Sequence, residues 1–131
     1  ACVAFGAALA LGLGLVWIGG PAILALGLVS IGAGWAYSGG PRPVSYRATG
    51  EAFVLTFFGL VAVAGSHYLQ AGAWSATALA AGAAIGAMAA AVLLLNNYRD
   101  LGPDAAAGRR TLAAVLGAGR SRLLYAALML L

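Results

Sequence analysis

Lysine is absent from this chain of 131 residues, and acidic side chains number three: Glu51, Asp100 and Asp104. Together with the arginines they bring the charged fraction to 8%, where a soluble globular domain carries about 25%. A soluble fold of this size needs a charged surface, and almost nothing here can supply one. The same shortage of polar residues excludes a disordered chain. The single cysteine, Cys2, cannot form an intrachain disulfide, so a disulfide-stapled scaffold is excluded as well; it reads as a small buried hydrophobe. The formal charge of +4 comes from arginines scattered between apolar stretches, with no basic patch interleaved with aromatics. Nucleic acid is therefore not an expected partner. What is present is 63% hydrophobic residues, a mean hydropathy of +0.99 and 20 glycines. Small residues in such numbers suit close helix packing in lipid. The fold class expected is an all-α, multipass transmembrane helix bundle.

Apolar runs long enough to cross the roughly 30 Å hydrocarbon core place four spans, at about residues 1–18, 22–37, 52–69 and 74–95. Gly19-Gly20-Pro21 breaks the first from the second, and Ser38-Gly39-Gly40-Pro41 ends the second. A further span starts near Leu123. The runs are continuous and do not alternate with period two, which favours helices over a barrel. Connections 19–20 and 70–73 carry no charge, whereas 38–51 and 96–122 carry every charged residue. With four spans these two long loops emerge on one face. By the positive-inside rule that face is cytoplasmic, and the membrane is the cell (inner or plasma) membrane. Trp17, Tyr68 and Trp74 then mark the outer interface, and Tyr37, Tyr46 and Tyr98 the inner one.

The first residue is Ala, no basic region precedes the first span, and the apolar run 123–131 reaches only about 13 Å. The expectation is a piece of a longer protein, with residues 1–131 forming part of one transmembrane domain.

Chemistry concentrates in Asn96-Asn97-Tyr98-Arg99-Asp100-Leu101-Gly102-Pro103-Asp104. Asn96, Asp100 and Asp104 follow i, i+4, i+8 spacing and share a face on a continuous helix. Gly102-Pro103 either interrupts that helix or starts a new one. Paired carboxylates suit Mg²⁺, which takes one or two of them together with substrate phosphates. Arg99, Arg109 and Arg110 nearby suit phosphate oxygens. The blander alternative is that Asp104 supports the next helix start and Asp100 pairs with Arg99 at the surface. Glu51 either faces a cavity or pairs with Arg47 one turn away, and the pair is favoured. His67 sits a membrane thickness from the aspartates and receives no role. Gly82-x-x-x-Gly86 reads as helix packing.

The run NNYRDLGPDAAAGRRTLA from Asn96 to Ala113 resembles the second aspartate-rich motif of the UbiA superfamily of intramembrane aromatic prenyltransferases. Its NN-x-R-D-x-x-x-D form is most similar to the branch that prenylates 1,4-dihydroxy-2-naphthoate in menaquinone synthesis. AYSGGPRPVSYRATG, from Ala36 to Gly50, followed by Glu51, is similar to a loop of the same enzymes. Together the two stretches cover roughly residues 35–117. The resemblance implies a nine-helix UbiA-type fold around a cavity open to lipid, of which this chain holds a central fragment. It lacks the first aspartate-rich motif, which leaves the fragment alone expected to be inactive. Gly102-Pro103 and Ala105 depart from the more polar residues usual there.

The activity implied is transfer of a polyprenyl group from a polyprenyl diphosphate to dihydroxynaphthoate, with membrane lipid as the surroundings and Mg²⁺ as cofactor. Asp100 and Asp104 are the catalytic, Mg²⁺-holding residues on this view. Asn96 and Asn97 orient or add an oxygen ligand, Arg110 and Arg47 grip diphosphate, and Tyr46 donates to diphosphate or acceptor. Another aromatic acceptor is the nearest alternative. A small multipass transporter or structural membrane protein is a more distant one, since transport calls for an ionisable group near mid-bilayer.

Overall fold

The computed structural model describes residues 2–130, and no strand occurs among them. Helix α1 spans Cys2–Ser38 but is two antiparallel arms, residues 2–19 and 21–38, because Gly20 leaves helical geometry at φ 64°, ψ −155°. Only glycine adopts that backbone freely, and Pro21 then opens the second arm with its φ already set. The reversal sets Gly34 beside Phe5, with 3.6 Å between the Phe5 ring and the position a Cβ would take on Gly34. The expected break at 19–21 is thus a hairpin turn. Both arms present Leu, Ile, Val and Trp side chains outward, Trp17 at 93% exposure, as in helices that meet lipid. Cys2 also lies exposed, against the burial expected for it.

A loop with a short 3₁₀ turn at Val44–Tyr46 leads to the next span. That span comprises α2 (Gly50–Val54), a π-helical stretch (Leu55–Val61) and α3 (Ala62–Ala71). It begins two residues before the expected start, which brings Glu51 inside the helix. Gly72, left-handed at φ 70°, closes α3 by donating its N–H to Tyr68 O at 2.8 Å. Ser75 then caps α4 (Ala76–Arg99), its Oγ accepting from Ala78 N.

The expected packing role of Gly82 and Gly86 is seen, and their partner is Gly59 in the π-helical stretch. A Cβ on Gly86 would stand 2.5 Å from Leu55 O and 3.1 Å from Gly59 Cα. Backbone meets backbone here. In lipid no hydrophobic force drives helices together, so close van der Waals contact between small residues does so. The core continues along α4 as Ala87, Ala90, Ala91 and Leu94, against Ala113 and Leu128 from the final helix.

That final helix departs from expectation. After α5 (Leu101–Ala106), α6 runs Leu112–Met129, broken at Gly117 (φ 72°, ψ 175°). Residues 96–122 are therefore largely helical rather than a loop, and the last span resumes after Gly117 and not at Leu123. The arginines misled: Arg120 and Arg122 are exposed while Ser121 between them is buried against α4. A helix at the membrane boundary carries arginine outward without ending.

Four helical stretches are long and apolar enough to cross a membrane, and the chain is an integral membrane protein. The two charge-bearing segments meet at one end, where Arg110 N–H donates to Tyr46 O at 2.8 Å. The uncharged turns lie at the other, where Tyr68 stacks on Trp74 with 4.5 Å between ring centroids.

Candidate functional site

The helix carrying the expected motif stops at Asp100, whose φ −97°, ψ 19° leave the α region. Its N–H still bonds Asn96 O at 3.0 Å, and Asp104 N–H bonds Asp100 O at 2.8 Å. The two aspartates therefore stand one turn apart although the helix is reset between them. Pro103 falls in the first turn of α5, where a missing N–H breaks no helical bond. Gly108, left-handed at φ 71°, turns the chain back after α5. That reversal brings Arg109 over Asp104, to whose carbonyl its N–H donates at 2.8 Å.

Asp104 is 4% exposed. Its Oδ1 accepts from Arg109 Nη1 at 2.8 Å, and its Oδ2 is buried with no protein partner. Arg109 Nε and Nη2 donate to Ser45 O at 3.4 and 3.0 Å, and its guanidinium carbon lies 5.6 Å from the Tyr46 ring centroid. Such a distance is within cation–π range. One arginine thus joins the 39–49 loop to the aspartate turn. Arg110 beside it points its side chain outward, with no ion pair or hydrogen bond among the described residues.

Asp100 differs. Its carboxylate takes both Nε and Nη2 of Arg99, at 2.8 and 2.9 Å, in a pair whose side chains are 41% and 70% exposed. Those hydrogen bonds hold the Asp100 carboxyl below the usual carboxylate range. The surface pairing of Asp100 with Arg99, the blander of the two alternatives, is the one found.

Two further expectations are corrected. Glu51 does not pair with Arg47; it is buried and accepts from Asn97 Nδ2 at 2.9 Å, leaving Oε2 without a partner. Asn97 in turn is engaged between helices and is not presented to a ligand, because its position in the last turn of α4 faces α2. Asn96, on the neighbouring face, is exposed, as are Arg47 and Tyr46 on the loop. The structure brings together Tyr46, Asp104, Arg109 and Arg110. It leaves Asn97 with Glu51 and Asp100 with Arg99.

A match to the model of the UbiA prenyltransferase family extends over residues 1–131. The chain belongs to the UbiA prenyltransferase family. It is 42% identical over 118 residues to a 1,4-dihydroxy-2-naphthoate octaprenyltransferase of Mycobacterium tuberculosis, covering 90% of this chain and 40% of that protein. The enzyme of the same name from Escherichia coli is 40% identical over 107 residues, covering 82% of this chain and 35% of the relative. The UbiA prenyltransferase domain-containing protein 1 of Gallus gallus is 33% identical over 119 residues, covering 91% and 32% respectively. The chain thus spans well under half the length of these curated relatives. No solved structure matches it.

As a cation site, this UbiA-family chain offers an incomplete donor set. No group of three or more His, Cys, Asp or Glu able to hold a metal occurs among the described residues. Asp104 Oδ2, buried and unpartnered, nevertheless suits a divalent ion that draws its other ligands from phosphate and water. Asp100, one turn away, can join if it releases Arg99. The pair is exposed and screened by water, so its release costs little.

Proposed function

We propose that the protein transfers a polyprenyl group from a polyprenyl diphosphate to 1,4-dihydroxy-2-naphthoate, with loss of the acceptor's carboxylate, giving demethylmenaquinone. The observation that carries this reading is the buried, unpartnered Oδ2 of Asp104, at the end of the molecule where Arg110 N–H ties the two charged segments through Tyr46 O. Relatives named 1,4-dihydroxy-2-naphthoate octaprenyltransferase favour that acceptor over other aromatics. On this reading residues 1–131 form part of one transmembrane prenyltransferase domain. The charged segments 38–51 and 96–117, and the arginine-bearing start of the last span, lie at the cytoplasmic side of a cell membrane.

UbiA prenyltransferases generally use divalent metal ions. Mg²⁺ is the ion we assign, and when bound it would neutralise the diphosphate as the allylic C–O bond breaks. Asp104 would hold it through Oδ2, and Asp100 would join on releasing Arg99. Arg110 and Arg47 offer guanidinium donors to the diphosphate oxygens, which accept them in bidentate fashion. Tyr46 donates its hydroxyl to the diphosphate or to the acceptor's carboxylate. Asn96, exposed beside the aspartate turn, orients an oxygen ligand. Asn97 acts one step removed, by fixing the end of α4 against Glu51.

The test is transfer of label from radiolabelled polyprenyl diphosphate in membranes containing the full-length protein of which residues 1–131 are part, with and without Mg²⁺. Dihydroxynaphthoate and hydroxybenzoate are offered in parallel as acceptors. Mg²⁺-dependent labelling of dihydroxynaphthoate alone is the expected result. Labelling of hydroxybenzoate in its place, or of neither, would refute the assignment.

A further inference from the structure

We propose that Arg109 is a positioning residue, which fixes the 39–49 loop on Asp104 and leaves Oδ2 as the one oxygen of that carboxylate without a protein partner, reserved for a divalent cation. The inference rests on the function proposed above. Each of the three guanidinium nitrogens of Arg109 already donates: Nη1 to Asp104 Oδ1, Nε and Nη2 to Ser45 O. Its guanidinium carbon lies over the Tyr46 ring. Three of its five N–H donors are thus engaged within the protein, one on each nitrogen. The residues it joins are far apart in sequence, Ser45 and Arg109 being separated by 64 positions.

The tie is built where a charge pair is effective. Asp104 is buried and the Arg109 side chain is 30% exposed, so water screens the contact only partly. A second bond, from Arg110 N–H to Tyr46 O, runs beside it and sets the register between the two segments. The carboxylate is thereby held by one oxygen, while the other stays buried and unpartnered. Partners that orient a metal ligand in this way typically change metal affinity by about 10–100-fold when removed. The neighbouring Arg110 remains available for phosphate. Two adjacent arginines accordingly divide the work: Arg109 arranges the site and Arg110 contacts the ligand.

Two readouts besides turnover test this, both on the membrane protein in detergent. The loop contains one bond open to trypsin, Arg47-Ala48, because Arg42 precedes proline and resists cleavage. Cleavage after Arg47, followed by mass spectrometry, reports the loop. Electron paramagnetic resonance of Mn²⁺ with inorganic pyrophosphate reports the cation site. Arg109→Ala is expected to speed cleavage about tenfold, the worth of one charged hydrogen bond. It is expected to weaken Mn²⁺–pyrophosphate binding about 10–100-fold. Arg109→Lys, which keeps a charge for Asp104 but not the fork on Ser45, restores most of the binding while the loop stays susceptible. Unchanged cleavage in Arg109→Ala overturns the proposal. Faster cleavage with unchanged Mn²⁺ binding overturns it too, since the tie would then be structural only. A wild-type protein that binds no Mn²⁺–pyrophosphate overturns the functional reading and the positioning role with it, whereas cleavage still reports whether the loop is tied.

Discussion

Replacing Gly86 with alanine probes the contact that holds the two central spans together. The added methyl would lie 2.5 Å from Leu55 O and 3.1 Å from both Leu55 C and Gly59 Cα. All three neighbours are backbone atoms, so no side chain can swing aside and the helices must separate. Overpacking of this kind costs about 1–3 kcal/mol, or roughly a 5- to 150-fold loss in the folding equilibrium. Gly82→Ala is milder: its nearest neighbours stand at 3.1 Å, again on Gly59 and Leu60, and a shift of a few tenths of an ångström relieves them. The assay is the midpoint of SDS-induced unfolding of the detergent-solubilised protein, followed by circular dichroism. The expected order of stability is wild type, then Gly82→Ala, then Gly86→Ala. If Gly86→Ala unfolds no earlier than Gly82→Ala, the glycine crossing is not the contact described and the argument from close approach fails.

Other expectations concern the charged end. Asn97→Leu removes the one donor to the buried Glu51 carboxylate among the described residues, which should cost about 1.5–3 kcal/mol in the same unfolding assay. Pairing it with Glu51→Leu should recover much of the loss, because an apolar pair replaces an unpaired carboxylate. Gly108→Ala forces alanine to φ 71°, so Arg109 loses its place over Asp104 and trypsin should cut after Arg47 faster than in the wild type. The Arg99 pair depresses the Asp100 carboxyl, so its contribution is present above the ordinary carboxylate range and disappears as pH falls through the lowered value. Arg99→Gln should move the acid limb of the prenyl-transfer profile upward; a limb that stays in place would mean that Asp100 does not set it.

Much of this architecture was legible as runs of small apolar residues. The spans around α3 and α4 follow from uninterrupted Ala, Gly and Leu, and the hairpin from Gly19-Gly20-Pro21. The start of α6 was not, because Arg120 and Arg122 look like loop residues until the burial of Ser121 shows which face they occupy. At the site, the aspartates and Arg110 stand out by residue type and spacing, and the family resemblance carried by Asn96–Ala113 gave them a role. Their pairing could not be read in the same way. Asn97 finds Glu51 across 46 positions, and the acceptor for Arg109 is the backbone carbonyl of Ser45, which no side-chain pattern encodes. Gly108, two residues after α5 ends at Ala106, was the available sign that the chain turns back there. Gly59 was equally hidden, since its role depends on a π-helical stretch whose sequence, LTFFGLV, looks like any apolar run.

The central claim is that Asp104 supplies the carboxylate on which prenyl transfer depends. Its direct test is the rate of Mg²⁺-dependent transfer to dihydroxynaphthoate by Asp104→Asn, which keeps the side-chain shape and removes the charge. The account predicts a loss of about 10²–10³-fold, as when one preorganised electrostatic contact at a reacting centre is removed. Transfer within a few-fold of the wild-type rate, in protein shown to be folded by its unfolding midpoint, would contradict it.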